Sequence, residues 1–219
     1  MTADPYRRAV RTYEAVIDPL NRKLKQIGLA FCRPAPGAAV LDVGCGTGTQ
    51  LALYRHAVDG ATVSGVEPSP AMLAAARQRL GSAAGLVRAV GNRLPWRDAS
   101  FDLALVTLVL HELSPETRAA TLVEMARVTR SGGRLLVIDF HPGPYTGVQG
   151  RLLRAMITGI EILAGREHFT NQCQFIASGG VPAQAAALGL EVERTKVLGQ
   201  GNVGVYLLAP HRAPGEASR

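Results

Sequence analysis

An α/β fold is predicted for this chain: a doubly wound, mostly parallel sheet of about seven strands, preceded by a helical cap. Two observations predict it. Short apolar runs alternate with longer amphipathic segments over most of the sequence, an order that builds βαβ units. The first apolar run, Ala39-Val40-Leu41-Asp42-Val43, ends in Gly44-Cys45-Gly46-Thr47-Gly48 and then turns helical, as the first turn of such a sheet requires. With 219 residues one core suffices, so residues 1–210 are expected to form a single domain.

Residues 5–31 read as one or two amphipathic helices, interrupted near Asp18-Pro19 because proline disfavours a helical residue before it, and residues 1–33 make up the cap. Pro34-Ala35-Pro36-Gly37 punctuates before the strand at 39–43. A helix over 49–58 and a strand over 62–66 follow, and Ser69-Pro70 opens a helix to Leu80 with proline at its first position. Strands are expected at 86–90 and 101–110, with a helix from Ser114-Pro115-Glu116 to Val128. Ser131-Gly132-Gly133 leads into a strand over 134–140. The pattern then changes. Apolar residues at 148, 152, 153, 156, 157, 160 and 163, with Arg151, Arg154 and Glu161 elsewhere, make 148–164 an amphipathic helix. A helix over 181–188 and strands over 190–198 and 203–209 complete the sheet, and the tail 211–219 is expected to fray.

A hydrophobic fraction of 47% and a charged fraction of 19% are those of a globular chain. The longest apolar stretches, 103–110 and 135–138, fall far short of the roughly 20 residues that span a bilayer. The first residues do not resemble a secretion signal, so the expected location is the cytoplasm. Cys32, Cys45 and Cys173 are too scattered for a disulfide framework or a metal site, and no metal is expected. The formal charge of +7 is concentrated in residues 1–33, where seven basic residues face three acidic ones. Such a face could attract nucleic acid, anionic lipid or an acidic substrate, but a solvated helix surface is the readier explanation.

Gly44, Gly46 and Gly48 let the backbone turn tightly and approach a ligand, while the following helix offers free N–H groups. Glu67, at the end of the second strand, is placed to accept hydrogen bonds from ribose hydroxyls. Together they point to a nucleotide-type cofactor. The spacing GxGxG departs from the GxGxxG of dinucleotide sites. Asp42 sharpens the choice: a buried carboxylate calls for a cationic partner and would repel a pyrophosphate.

With these residues the chain resembles the class I S-adenosylmethionine (SAM) dependent methyltransferases, which have a Rossmann-like fold. Further segments resemble the menaquinone/ubiquinone-biosynthesis (methyltransferase type 11) group: Gly65-Val66-Glu67-Pro68-Ser69-Pro70-Ala71-Met72-Leu73, Leu94-Pro95-Trp96-Arg97-Asp98-Ala99-Ser100-Phe101-Asp102, Val109-Leu110-His111-Glu112-Leu113, and Glu124-Met125-Ala126-Arg127-Val128 with Gly132-Gly133. The resemblance covers about residues 38–140. It implies SAM as cofactor, S-adenosyl-L-homocysteine as product, and a loop of Asp42, Gly44, Cys45, Gly46 and Gly48 around the methionine end. It also implies Glu67 with Pro68 at the ribose, and Met72 and Leu94 flanking the adenine. One position departs. The family has Gly-Asp-Ala ahead of the Leu-Pro pair, and this chain has Ala89-Val90-Gly91, so Val90 and Gly91 would meet the adenine with apolar and backbone groups, or Asn92 would take the missing role.

SAM carries its own leaving group, so the acceptor needs in-line positioning more than acid–base help. His111, past the fourth strand, is the candidate base, with His141 and His168 as lesser ones. Tyr6 and Tyr13 could close over the acceptor, as the equivalent region does in similar enzymes, Tyr13 being the second catalytic candidate. Residues 144–180 lie where related enzymes insert a helical, substrate-covering element. That element could line an apolar pocket, touch a membrane surface or join two chains as a homodimer. The expected acceptor is a small lipophilic or aromatic molecule, quinone-precursor-like or a phospholipid amine. Nucleic-acid methylation is disfavoured because Leu110-His111-Glu112-Leu113 replaces the Asn/Asp-Pro-Pro-aromatic motif of amino-methylating enzymes. Oxidoreduction with NAD is disfavoured by Asp42 and the loop spacing. Arsenite methylation is disfavoured by the shortage of thiols, and SAM binding without catalysis stays open.

Overall fold

The computed structural model describes residues 18–210. Seven strands form one sheet: β1 (Ala39–Val43), β2 (Thr62–Val66), β3 (Ala84–Val87), β4 (Phe101–Thr107), β5 (Thr129–Phe140), β6 (Glu191–Leu198) and β7 (Val203–Ala209). Their order is β3-β2-β1-β4-β5-β7-β6, parallel through β5, with β7 antiparallel to both neighbours. The helices are α1 (Asp18–Phe31), α2 (Thr49–Ala57), α3 (Pro70–Leu80), α4 (Pro115–Val128), α5 (Gly147–Ala164), α6 (Arg166–Ala177) and α7 (Gly180–Ala187). From β1 the chain winds outward to β3 and then crosses back to β4 on the other side. The reversal opens a crevice at the carboxyl ends of β1 and β4, where open α/β sheets hold ligands.

Alternate side chains of each strand serve opposite layers. Leu41, Val43, Ala104 and Val106 pack with Leu122 and Met125 of α4 and Phe175 of α6, whereas Val40, Leu103 and Leu105 pack with Leu51 and Tyr54 of α2 and with α1. Burial on both faces explains why these strands read as continuous apolar runs. Two caps set helix starts where the sequence places them: Ser69 Oγ accepts from Met72 N–H at 3.2 Å and Ser114 Oγ from Thr117 N–H at 3.3 Å.

Several boundaries differ from expectation. The first described helix does start at the interruption expected near Asp18-Pro19, whereas Tyr6, Tyr13 and the tail 211–219 lie outside the described residues. β3 spans Ala84–Val87, not 86–90, so Val90 lies in the irregular segment beyond it. β4 ends at Thr107, not at 110, because Leu108 turns to φ +55° and the chain enters a single 3-10 turn, Leu110–Glu112. β5 starts at Thr129 and runs through Gly132-Gly133, because Thr129 pairs with Phe101 of β4; Gly133 is needed there, since a Cβ would stand 2.7 Å from Thr129 Cγ2 and 2.8 Å from the Asp102 carbonyl oxygen. Within the expected helical insertion the chain forms α6 as well as α5, a second helix that the apolar spacing does not delimit.

Candidate active site

β1 ends at Val43 and the chain folds over the end of β2, where the Gly44 and Cys45 N–H groups both donate to the Val66 carbonyl at 2.9 and 3.0 Å. Gly44, Gly46 and Gly48 have φ values of +74°, +53° and +78°, which side chains rarely adopt. Their surroundings differ. A Cβ at Gly44 would lie 2.7 Å from Val109 Cγ2, and one at Gly48 2.9 Å from Leu80 Cδ1 and 3.2 Å from Ala76 Cβ, so both glycines are also required by packing. A Cβ at Gly46 would meet nothing within 4 Å: the loop there borders open space. Cys45 is buried against Gly65, and burial pushes its thiol far above the usual range, which leaves it a small packing residue.

Two carboxylates stand beside this loop. Glu67 is buried, its Oε2 accepting from Gly46 N–H at 3.0 Å and its Oε1 from Ser69 N–H at 2.9 Å, so it ties the loop to the start of α3. Asp42 is 3% exposed, and its pKa is raised to about 7 by burial, with the Lys25 charge opposing and the Glu67 charge reinforcing. A desolvated carboxylate pair next to an open glycine turn favours a cationic ligand that also brings hydroxyl donors. The residues therefore fit a sulfonium cofactor with a ribose.

Around this cradle, Met72 and Leu94 are buried. Leu94 is held by α4: Glu124 Oε2 accepts from its N–H at 2.8 Å, and Arg127 donates to the carbonyl groups of Leu94 and Trp96 and to Asp98. Gly91 draws the segment after β3 against the sheet, since a Cβ there would stand 2.8 Å from both Val43 Cγ1 and Thr121 Cγ2. Val90 is half exposed, and Pro68 is exposed with its carbonyl accepting from Arg88 at 3.2 Å.

The turn after β4 forms the other wall. Val109 packs on Gly44, and two residues on, His111 is 2% exposed with Nδ1 2.6 Å from Asp139 Oδ1. Asp139 is wholly buried in β5; its Oδ2 also accepts from the Leu110 and His111 N–H groups at 2.9 and 3.4 Å, and its Oδ1 from Phe140 N–H at 2.7 Å. His111 Nε2 faces Glu161 Oε1 of α5 at 3.6 Å and Glu112 Oε1 at 3.9 Å. Burial alone would depress the imidazole, but Asp139, then Glu161 and Glu112, outweigh it and push its pKa up to about 10. Arg118 pins the turn from α4: it donates to the Leu110 and Leu113 carbonyls at 2.8 Å each, to the Asn171 carbonyl of α6 at 3.3 Å, and lies over the Phe175 ring.

The structure thus brings Asp42, the glycine loop, Glu67 and His111 to one edge of the sheet. His141 points elsewhere, its Nδ1 2.6 Å from Tyr206 Oη, and His168 acts on Glu112 only through its charge. Sequence reasoning missed Asp139, Arg118 and Asn171. A lone acid inside the apolar stretch 135–140 was the available signal for Asp139. Arg118 and Asn171 belong to polar helix faces that conceal their burial.

Residues 41–137 match the type 11 family described as a methyltransferase domain. The chain is 34% identical over 161 residues to the demethylmenaquinone methyltransferase of Beutenbergia cavernae, covering 72% of this chain and 65% of that protein. It is 34% identical over 134 residues to the malonyl-[acyl-carrier protein] O-methyltransferase of Serratia marcescens, covering 61% and 50%. The chain therefore spans less than two thirds of the length of these relatives. Among solved structures, a SAM-dependent methyltransferase from Aquifex aeolicus superposes with a TM-score of 0.65 at 20% identity, covering 91% of this chain and 97% of that one. Residues 41–137 thus match a methyltransferase domain, and by relatives and fold the chain is similar to the class I SAM-dependent methyltransferases, demethylmenaquinone methyltransferases among them.

Proposed function

We propose that this chain transfers a methyl group from SAM to a small lipophilic acceptor with a hydroxylated ring, of the quinone-precursor kind. The observation that carries the reading is the shared wall at Gly44 and Val109, which sets the carboxylate-flanked glycine cradle directly against the buried His111 turn. In this reading Asp42 and the loop from Gly44 to Gly48 hold the cationic methionine end, and Glu67 takes the ribose hydroxyls. Met72 and Leu94 enclose the adenine, with the Gly91 backbone beside it. SAM, when bound, supplies a methyl group already activated on sulfur. The residues are left to orient the acceptor, exclude water and manage one proton. The likeness to a demethylmenaquinone methyltransferase supports the acceptor class, as does α5, which buries Ile157 and Glu161 inward and exposes Val148, Leu152, Met156, Ile160 and Leu163 outward. Among the described residues no helix is long and apolar enough to cross a membrane. That outward stripe, flanked by exposed Arg151 and Arg166, suits contact with an anionic bilayer from which a lipophilic acceptor is drawn.

Titration calorimetry with SAM, followed by labelled methyl transfer into a lipid extract, tests the reading. Glu67→Ala removes two charge-assisted hydrogen bonds of about 1.5 kcal/mol or more each, so SAM should bind at least about 100-fold more weakly. Wild-type protein that ignores SAM refutes the reading. Label recovered in phospholipid headgroups, with none in ring compounds, replaces the acceptor class with an amine.

A further inference from the structure

We propose that Glu161 is the residue that takes the acceptor's hydroxyl proton, and that His111 and Asp139 are positioning residues that hold it there; this rests on the hydroxylated-ring reading above. The ordinary choice of base would be His111, but neither of its nitrogens is open. Nδ1 is bonded to Asp139 at 2.6 Å, and Nε2 is directed between Glu161 and Glu112. Asp139 is itself spent, with one oxygen shared by His111 and the Phe140 N–H and the other taken by the Leu110 and His111 N–H groups. The open group in this row is Glu161. Its Oε1 leans on the imidazole at 3.6 Å, while its Oε2 is buried with no hydrogen-bond partner among the described residues. A buried carboxylate oxygen without a donor is costly, and a ligand hydroxyl would satisfy it.

The position is right for the chemistry. Glu161 reaches the His111 turn, and that turn packs through Val109 on Gly44 of the cofactor loop. On α6, the helix bound to the turn through Asn171 and the Glu112 carbonyl, Gln172 is also fully buried with both amide atoms unpartnered among the described residues. The charged groups around the imidazole are Glu112 on the turn, Asp139 on β5, Glu161 on α5, His168 on α6 and Arg118 on α4, with Arg154 two turns before Glu161 on the same helix. Three carboxylates on one imidazole keep it protonated at neutral pH, so it has no lone pair to accept a proton. In the step itself, the acceptor O–H bond breaks, its proton goes to Glu161 Oε2, and its electron pair stays on the acceptor. That pair becomes a C=O bond while the adjacent ring double-bond pair forms the bond from ring carbon to methyl carbon, and the carbon–sulfur pair remains on the departing thioether. Loss of the former ring C–H proton to water and return of the proton from Glu161 to the oxygen restore the hydroxylated ring.

The test combines Glu161→Gln and Glu161→Asp with proton-resolved NMR of the His111 ring. In wild-type protein without cofactor or acceptor, the ring should be an imidazolium at pH 8; a neutral ring at pH 7 overturns the proposal, because His111 would then be the free base. SAM affinity by calorimetry should be the same in both variants as in wild type, and wild-type protein that binds no SAM fails the functional reading, not this one. With demethylmenaquinol carrying a short prenyl chain as probe, Glu161→Gln should lower kcat about 100-fold or more, change KM less than about threefold, and abolish the acid limb of the kcat profile, with partial rescue by Glu161→Asp. Unchanged kcat in Glu161→Gln overturns the proposal. If the probe is not methylated at all, the protonation state of His111 decides.

Discussion

Replacing Asp42 by Asn should stabilise the cofactor-free protein and damage cofactor binding at once. Asp42 is buried in β1 with a pKa raised to about 7, against 3.8 for an ordinary aspartate. A folded pKa above the unfolded one means that the folded state holds the proton more tightly, so stability is whole below about 3.8 and is lost as pH rises through about 7. A shift of about 3 units at 1.36 kcal/mol each puts the loss at roughly 4 kcal/mol by pH 8. Asn carries no charge and fills the same space, so urea unfolding at pH 8 should find Asp42→Asn more stable by up to that amount, with the gain vanishing near pH 4. In the proposed site a bound sulfonium and ammonium would repay this cost; such conflicts between stability and function are common at binding sites. SAM affinity in the wild type should therefore rise through pH 7 with release of a proton, visible as heats that depend on the buffer's ionisation enthalpy, and Asp42→Asn should bind SAM at least 10-fold more weakly at pH 8. Equal stability of the two proteins at pH 8, or SAM binding without proton release near pH 7, refutes the reasoning.

The His111–Asp139 pair gives a separate pH signature. Its folded pKa of about 10 exceeds the ordinary 6.5, so the pair's contribution is present below pH 6.5 and lost as pH rises through 10. Asp139→Asn should cost about 3 kcal/mol or more at pH 6.5 in urea unfolding, and distinctly less at pH 10; a pH-independent difference counts against the pair. For the outward face of α5, the double substitution of Leu152 and Met156 by Ser should abolish sedimentation with vesicles rich in phosphatidylserine while leaving SAM affinity intact. A drop in solution mass on the same substitution would instead mark the stripe as a contact between two copies of the chain.

Much of the frame is local chemistry and can be read from the chain. The βα alternation, the caps at Ser69 and Ser114 and the three positive-φ glycines each depend on neighbours within a few residues, and the structure places them where the sequence does. Boundaries failed where a distant partner decides them. β4 reads as apolar to residue 110, yet it stops at Thr107 because the Asp139 carboxylate on β5 captures the N–H groups of Leu110 and His111 and bends the chain. Residues 166–177 read only as part of a general helical insertion, since Asn171 and Gln172 interrupt the apolar spacing although both are buried.

The sequence alone determined the glycine-turn half of the candidate site: a strand, a glycine turn and two carboxylates at strand ends form a contiguous arrangement whose geometry follows from backbone sterics and strand register. The half proposed to meet the acceptor was decided only by tertiary structure. His111, Asp139, Glu161, Arg118 and Gln172 come from a turn, a strand and three helices, and each looks ordinary where it stands in the chain. Their roles arise from mutual burial: desolvation makes each charge depend on its neighbours, and burial on that scale exists only once the elements have packed.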